Sequence, residues 1–122
     1  MALALDVVRG GFSPGQARAI GGQVQSAVTA AGTTITTATD LTASINVVTT
    51  AAASSGVQLP NTEIGDSVEI LNLGANPVTV YPDTASNRIN QLSAGTGFLL
   101  ASNTSVWIRK FTSTRWMAYL SA

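Results

Sequence analysis

The chain has 122 residues, with six acidic side chains, six basic side chains and a formal net charge of zero at pH 7. Charged residues make up 10% of the sequence, against roughly 25% in ordinary globular domains. This balance excludes the basic face that binds nucleic acid and any acidic face for cationic partners. Cysteine and histidine are absent, so disulfides cannot form and two of the commonest metal ligands are missing.

The size of the packed part favours self-association. Much of the hydrophobic content is alanine, and the large apolar residues concentrate after about position 45. The resulting body of roughly 70–80 residues stands near the lower limit for independent stability, where oligomerisation is a common remedy. No run of 18 apolar residues occurs, so we predict no membrane span and synthesis in the cytoplasm.

Residues 1–22, MALALDVVRGGFSPGQARAIGG, are predicted to form an N-terminal attachment arm with one short helix. The alternation of Leu3, Leu5 and Val7 places these side chains on one side of an extended chain. A helix is predicted from Pro14 to Ile20, because Ser13 can cap it and two glycines end it. A helix of two turns is not stable alone and must rest on a partner.

Residues 23 to about 55 are rich in Thr, Ala and Ser, which is typical of a linker. However, the β-branched runs TTITT and SINVVTT favour two modest strands, with turns at Gly32 and Asp40.

From Gly56 onward the pattern is strongly β. Turn residues separate short apolar runs, and the segment 67–82, SVEILNLGANPVTVYP, reads as a hairpin with Val68 and Ile70 on one face. Further strands are predicted at GVQLP, RINQL, GFLLA, SVWIRKF and RWMAYL. We therefore predict an all-β protein, with a small antiparallel sandwich or jelly-roll-like body at residues 23–122 behind the arm.

Candidate catalytic groups are few. Without histidine, a serine or threonine nucleophile lacks its usual base, and Lys110 is interpreted as a solvated or edge-protecting charge. Glu63 and Asp66 fall in one turn, where a carboxylate caps backbone amides. A pair of carboxylates for glycoside hydrolysis would come from Asp6, Asp40, Glu63, Asp66, Glu69 and Asp83. We expect no enzyme activity, no metal and no cofactor.

The aromatic residues leave two interpretations open. Trp107 and Trp116 are expected in the core, because a body this small needs them there. Exposed aromatic residues on a β-body can instead form a sugar-binding platform, for which Tyr81, Trp107 and Tyr119 are the candidate glycan contacts.

From about Leu41 onward the order of motifs resembles a β-module of tailed-bacteriophage virion structural proteins. The matching positions are Leu41 to Ala43, Val57 to Pro60, Gly65 to Asn72, Ala75 to Tyr81 and Trp116. The resemblance covers about two thirds of the chain and implies a non-catalytic virion component that associates as trimers. It supplies no catalytic residues, and it leaves open capsid decoration, head fibre and tail fibre.

The single body and short arm favour a capsid decoration, or cement, protein on the capsid surface of the virion. In this interpretation a homotrimer docks its arms on the major capsid protein and stabilises the shell, with no nucleic acid or membrane involved. The alternative is a head- or tail-fibre, receptor-binding module with carbohydrate contact. The inferred capsid contacts are Leu3, Leu5, Val7, Arg9, Phe12, Arg18 and Ile20.

Overall fold

The computed structural model describes residues 23–121, and the predicted arm and helix lie outside this range. The described residues form strands joined by turns, without a helix, so the all-β prediction is confirmed for them. The strands are β1 (Val24–Ala30), β2 (Thr39–Asp40), β3 (Ile45–Ala51), β4 (Gly56–Gln58), β5 (Ser67–Asn72), β6 (Val78–Tyr81), β7 (Arg88–Ile89), β8 (Phe98–Leu100), β9 (Thr104–Thr112) and β10 (Arg115–Leu120).

The strands build two sheets. Sheet 1 has six strands in the order β1-β3-β5-β9-β10-β7, and sheet 2 has four in the order β2-β4-β6-β8. From β1 to β6 the chain alternates between the sheets, and successive strands within each sheet run parallel. The first half is therefore a short two-sheet coil, resembling a solenoid, in which β1, β3 and β5 begin at residues 24, 45 and 67.

The second half caps this coil. Strand β8 runs antiparallel to β6, while β9 runs antiparallel to β5 and forms a hairpin with β10. Strand β7 then adds parallel to β10 at the end of sheet 1. Five of the eight strand pairs are parallel, so the antiparallel arrangement predicted from the sequence does not describe this body.

The predicted hairpin at residues 67–82 is wrong. Strand β5 pairs with β3 and β9 in sheet 1, whereas β6 pairs with β4 and β8 in sheet 2. The common face predicted for Val68 and Ile70 is confirmed, since both are buried, and Val78 and Val80 of β6 are buried as well. The tip that looked like a hairpin turn is a corner between sheets, because turn residues and alternating apolar strands are common to both arrangements.

The predicted strand at TTITT is also wrong. Residues 33–37 form a turn, in which the Thr37 hydroxyl accepts hydrogen bonds from the backbone N–H groups of Thr33 and Thr34 at 3.2 and 3.1 Å. The turn at Gly32 is confirmed, with φ at 76°. Asp40 lies in β2 rather than in a turn. The threonine hydroxyls bond to the backbone of residues 33–37 and so favour a turn there, and the strand begins only at Thr39.

The core lies between the two sheets and is almost wholly aliphatic. Strands β3, β5 and β9 contribute inward side chains from sheet 1, and β4, β6 and β8 contribute them from sheet 2. Trp116 on β10 closes the capped end and is fully buried. The body thus depends on branched aliphatic side chains that alternate along short strands.

Buried asparagines satisfy the backbone at the corner between β5 and β6. Asn72 has no exposed surface, and its Nδ2 donates to the carbonyls of Asn76 and Leu100 at 2.9 and 3.0 Å. Its Oδ1 accepts from the backbone N–H of Gly74 at 3.0 Å. Asn76 Nδ2 in turn donates to the carbonyl of Ala51, at the end of β3, at 2.9 Å. The Asn72 side chain thus closes the β5–β6 corner, and the Asn76 side chain joins this corner to β3.

The substitution Asn72→Ala should lower the free energy of unfolding by about 2–3 kcal/mol, because it leaves buried backbone groups without partners. Chemical denaturation of the variant measures this loss. Asn61→Ala, at an exposed asparagine, is the control and should change little. Equal stability of both variants would contradict the role given to Asn72.

Candidate interaction surface

The outer face of sheet 1 carries a row of large side chains that crosses five strands. The strand register places Val24, Ile45, Glu69, Trp107 and Tyr119 side by side. We call these five residues the outer row. Trp107 is 36% exposed, Tyr119 53% and Val24 56%, so the sheet presents an unusually apolar surface to solvent.

Two of the predicted glycan contacts meet in the outer row. The ring centroids of Trp107 and Tyr119 are 5.3 Å apart, with their planes tilted by 33°. The guanidinium carbon of Arg109 lies 4.6 Å from the centroid of the Trp107 ring. One face of the tryptophan is therefore occupied by a cation–π contact, and the two rings do not form one flat platform.

Charge is sparse on this face and is not neutralised within it. Glu69 and Arg109 both project outward, from β5 and β9. The one ion pair within 4.0 Å among residues 23–121 lies elsewhere. The outer face of sheet 1 therefore combines the apolar contact area of the outer row with the charges of Glu69 and of the adjacent Arg109.

The expected core position is confirmed for Trp116 and is wrong for Trp107. Trp116 is fully buried, whereas Trp107 belongs to the exposed side of β9. The reason is alternation: Val106, Ile108 and Lys110 take the inward positions of that strand, so Trp107 must point outward.

Tyr81, the third predicted glycan contact, lies apart from the other two on sheet 2. Its hydroxyl donates to the carbonyl of Thr33 at 3.0 Å. Its ring packs over two glycines: a Cβ added at Gly56 would lie 2.7 Å from Tyr81 Cε2, and one at Gly97 would lie 3.1 Å from Cδ1. Tyr81 is thus held as part of the sheet 2 surface and does not join Trp107 and Tyr119.

The prediction that Lys110 is a solvated charge is wrong. Lys110 is 6% exposed, and its Nζ donates to Asp83 Oδ2 and to the carbonyl of Thr62, both at 3.0 Å. Asp83 Oδ1 accepts from Asn87 Nδ2 at 2.7 Å and from Trp116 Nε1 at 3.0 Å. We call Asp83, Asn87, Lys110 and Trp116 the ion-pair cluster.

The cluster has a structural role, because its charged atoms have partners within the fold. Burial by itself raises the pKa of the Asp83 carboxyl. Hydrogen bonds from Asn87, Trp116 and Lys110, together with the positive charge of Lys110, outweigh this effect and lower the pKa from its ordinary value of 3.8. A carboxylate held ionised by three donors is poorly suited to accept a proton in catalysis.

Glu63 and Asp66 lie in one turn, whereas Asp40 and Glu69 lie on strands β2 and β5. Asp66 Oδ2 accepts a hydrogen bond from the backbone N–H of Glu63 at 3.1 Å, as predicted for that turn. Among residues 23–121, no group of three or more acidic side chains is arranged to hold a metal ion. In the same range no helix has the length and apolarity needed to cross a bilayer.

The predicted capsid contacts all lie outside the described residues 23–121. Sequence reasoning missed the outer row as a unit, since its members come from strands whose neighbours only the topology reveals. Comparisons of the chain with protein-family models, curated proteins and solved structures gave no match.

The substitution Asp83→Asn should lower the free energy of unfolding at pH 7 by about 3 kcal/mol, because it leaves the buried Lys110 charge unpaired. It should also reduce the fall in the free energy of unfolding that wild type shows as the pH is lowered into the acid range. The native carboxylate has a lowered pKa, so its stabilisation is complete above about pH 3.8 and is lost as the pH falls through the native pKa.

Chemical denaturation of wild type and variant between pH 7 and pH 2 tests both effects. Asp40→Asn, at an exposed side chain outside the cluster, is the matched control. An unchanged acid limb in the Asp83 variant would contradict the assignment.

Proposed function

We propose that the chain is a bacteriophage virion structural protein, most specifically a capsid decoration protein that binds the assembled shell and stabilises it. The observation that carries the proposal is the outer row: a rigid sheet face with exposed Val24, Trp107 and Tyr119 and little charge. The motif resemblance of residues 41–116 to phage virion modules supports the same assignment. The proposal gives the protein no reaction and no cofactor.

Self-association is assigned to the outer face of sheet 1. A free monomer gains solubility from charge, which this chain largely lacks. Packing copies by this face would remove Trp107 and Tyr119 from water and offer Glu69 and Arg109 an oppositely charged partner on the next copy. In such a trimer, three copies of the two-sheet body are arranged around a threefold axis.

Capsid attachment is assigned to the arm. Gln23 directly precedes β1, the edge strand of sheet 1, so the arm leaves the body at that edge. Leu3, Leu5 and Val7 would add a strand to the major capsid protein or fill a groove in it. Three arms on one trimer raise the effective concentration, so weak single contacts suffice, and binding only the assembled shell stabilises it.

The double substitution Trp107→Thr and Tyr119→Thr should shift the protein from trimer toward monomer by at least about tenfold in the association constant, because the exposed aromatic area is lost. Sedimentation equilibrium measures the shift. Ile64→Thr, at a side chain 61% exposed in a turn, is the control. A double variant that remains trimeric would remove this face from the interface.

Deletion of residues 1–12 should leave a folded trimer that no longer coats capsids, because the inferred contacts Leu3, Leu5 and Val7 are lost. Capsid co-sedimentation measures binding, and circular dichroism with sedimentation verifies the shortened protein. Full-occupancy binding by the shortened chain would rule out attachment by this segment.

A second candidate function is a fibre or receptor-binding module that contacts carbohydrate, favoured by the adjacent exposed rings of Trp107 and Tyr119. The contact of Arg109 on Trp107 and the separate position of Tyr81 weigh against a ready platform. The same double variant distinguishes the candidates: a glycan-binding module would lose retention on a glycan array while its oligomeric state stayed unchanged.

A further inference from the structure

An apolar cleft opens between the sheets at the capped end of the body. It has a volume of about 450 Å³ and is lined mainly by Phe98 and Leu99 of β8, Ala118 and Leu120 of β10, and Leu92 of the loop between β7 and β8. Leu120 is 61% exposed, although it lies on the same side of β10 as the buried Trp116. The cleft is therefore an uncovered extension of the aliphatic core.

The cleft exists because sheet 2 ends before sheet 1. In sheet 1, β10 and β7 lie beyond β9, whereas in sheet 2 the last strand is β8. Within residues 23–121, β8 pairs only with β6. One strand position opposite β10 is thus unfilled by the described part of the chain.

The free edge of β8 has the polarity to accept a strand. The N–H of Thr79 donates to the carbonyl of Ser55, so Thr79 faces β4. Leu99 lies opposite Thr79 in the antiparallel pair, and its own N–H and C=O therefore point away from β6, toward the open edge. An edge of this kind beside an apolar cleft is the usual acceptor for an added strand.

We propose that this cleft is filled, in the protein free of capsid, by residues 2–7 of this same chain, added as a strand to the edge of β8. Alternation supplies the fit: Leu3, Leu5 and Val7 fall on one side of an extended segment, and Ala2, Ala4 and Asp6 fall on the other. The apolar side would pack on Phe98, Ala118 and Leu120, and the other side would face solvent beside Leu99.

The length of chain before Gln23 allows this docking. From β1 to β10 the body is five strands wide, which is about 20 Å at the usual strand spacing. The 15 residues between Val7 and Gln23 can span up to roughly 50 Å. The segment can therefore reach the cleft of its own copy.

This inference is independent of the proposed function. Leu3, Leu5 and Val7 cannot fill the cleft and contact a capsid protein at the same time, so cleft and capsid would compete for one segment. Failure of the unaltered chain to bind capsids, with its cleft filled, would overturn the proposed function alone. Capsid binding by an unaltered chain whose cleft stays empty in the free protein would overturn this inference alone.

Disulfide trapping tests the docking in the full chain, which has no natural cysteine. The pair Ala4→Cys with Leu99→Cys places two outward side chains on neighbouring strands, and we expect it to cross-link at least about tenfold faster than the control pair Ala4→Cys with Leu73→Cys. Leu73 is comparably exposed, at 57%, but follows β5 outside the cleft. On a non-reducing gel, a cross-linked monomer band supports the proposal. Cross-linking found only in a dimer band would overturn it, because a neighbouring copy would then donate the segment.

Amide exchange supplies a second readout without cysteines. Exchange of the Leu99 N–H, followed by NMR, should be slow in the full chain because the added strand accepts its hydrogen bond. Leu3→Asp with Leu5→Asp should speed it at least about tenfold, whereas the matched variant Ala2→Asp with Ala4→Asp should leave it slow. Equal cross-linking of both cysteine pairs, or rapid exchange of Leu99 in the unaltered chain, would overturn the proposal.

Discussion

The fold depends on one constraint: where the chain leaves one sheet for the other, the buried polar backbone groups of the corner need partners within the fold. Asn72 shows how this is done, since its amide bonds to two backbone groups of its own corner and to one on β8. The chain crosses between the sheets after each strand from β1 to β5. Successive strands of one sheet can pair in parallel only if the backbone groups buried at these crossings find hydrogen-bond partners. The aliphatic interior then follows from alternation along each strand.

The ion-pair cluster solves the corresponding problem at the cap. Asp83 follows β6, Lys110 lies on β9 and Trp116 lies on β10, so two hydrogen bonds tie the end of the coil to the hairpin that covers it. Burying a charge is costly unless it is paired, which makes the arrangement specific: a shifted register in β9 would separate the Lys110 ammonium from the Asp83 carboxylate. The cluster fixes the cap more than it adds net stability.

Local patterns in the sequence predicted the strands well and their partners poorly. Val68 and Ile70 were correctly assigned to an inner face because alternation is a local property of one strand. Whether β5 folds back on β6 or crosses to the other sheet depends on contacts more than twenty residues away, and the turn residues at 73–77 suit both. Lys110 was misassigned for the same reason, since its partner Asp83 lies 27 residues earlier in the chain.

The candidate surface also depends on strand partners, which local sequence patterns do not determine. Trp107 and Tyr119 were recognised one by one as residues that could contact a ligand, but their proximity to each other and to Arg109 is a product of strand order. Strand order also leaves the two ends of the body unlike, with β1 at one edge and the short edge of β8 at the other. Residues 23–121 leave one strand position beside β8 unfilled and carry an apolar outer row, so this body has two places at which copies or chain segments can add. In a chain with so little charge, the free energy for such additions must come from burying apolar surface and from pairing backbone groups at an edge.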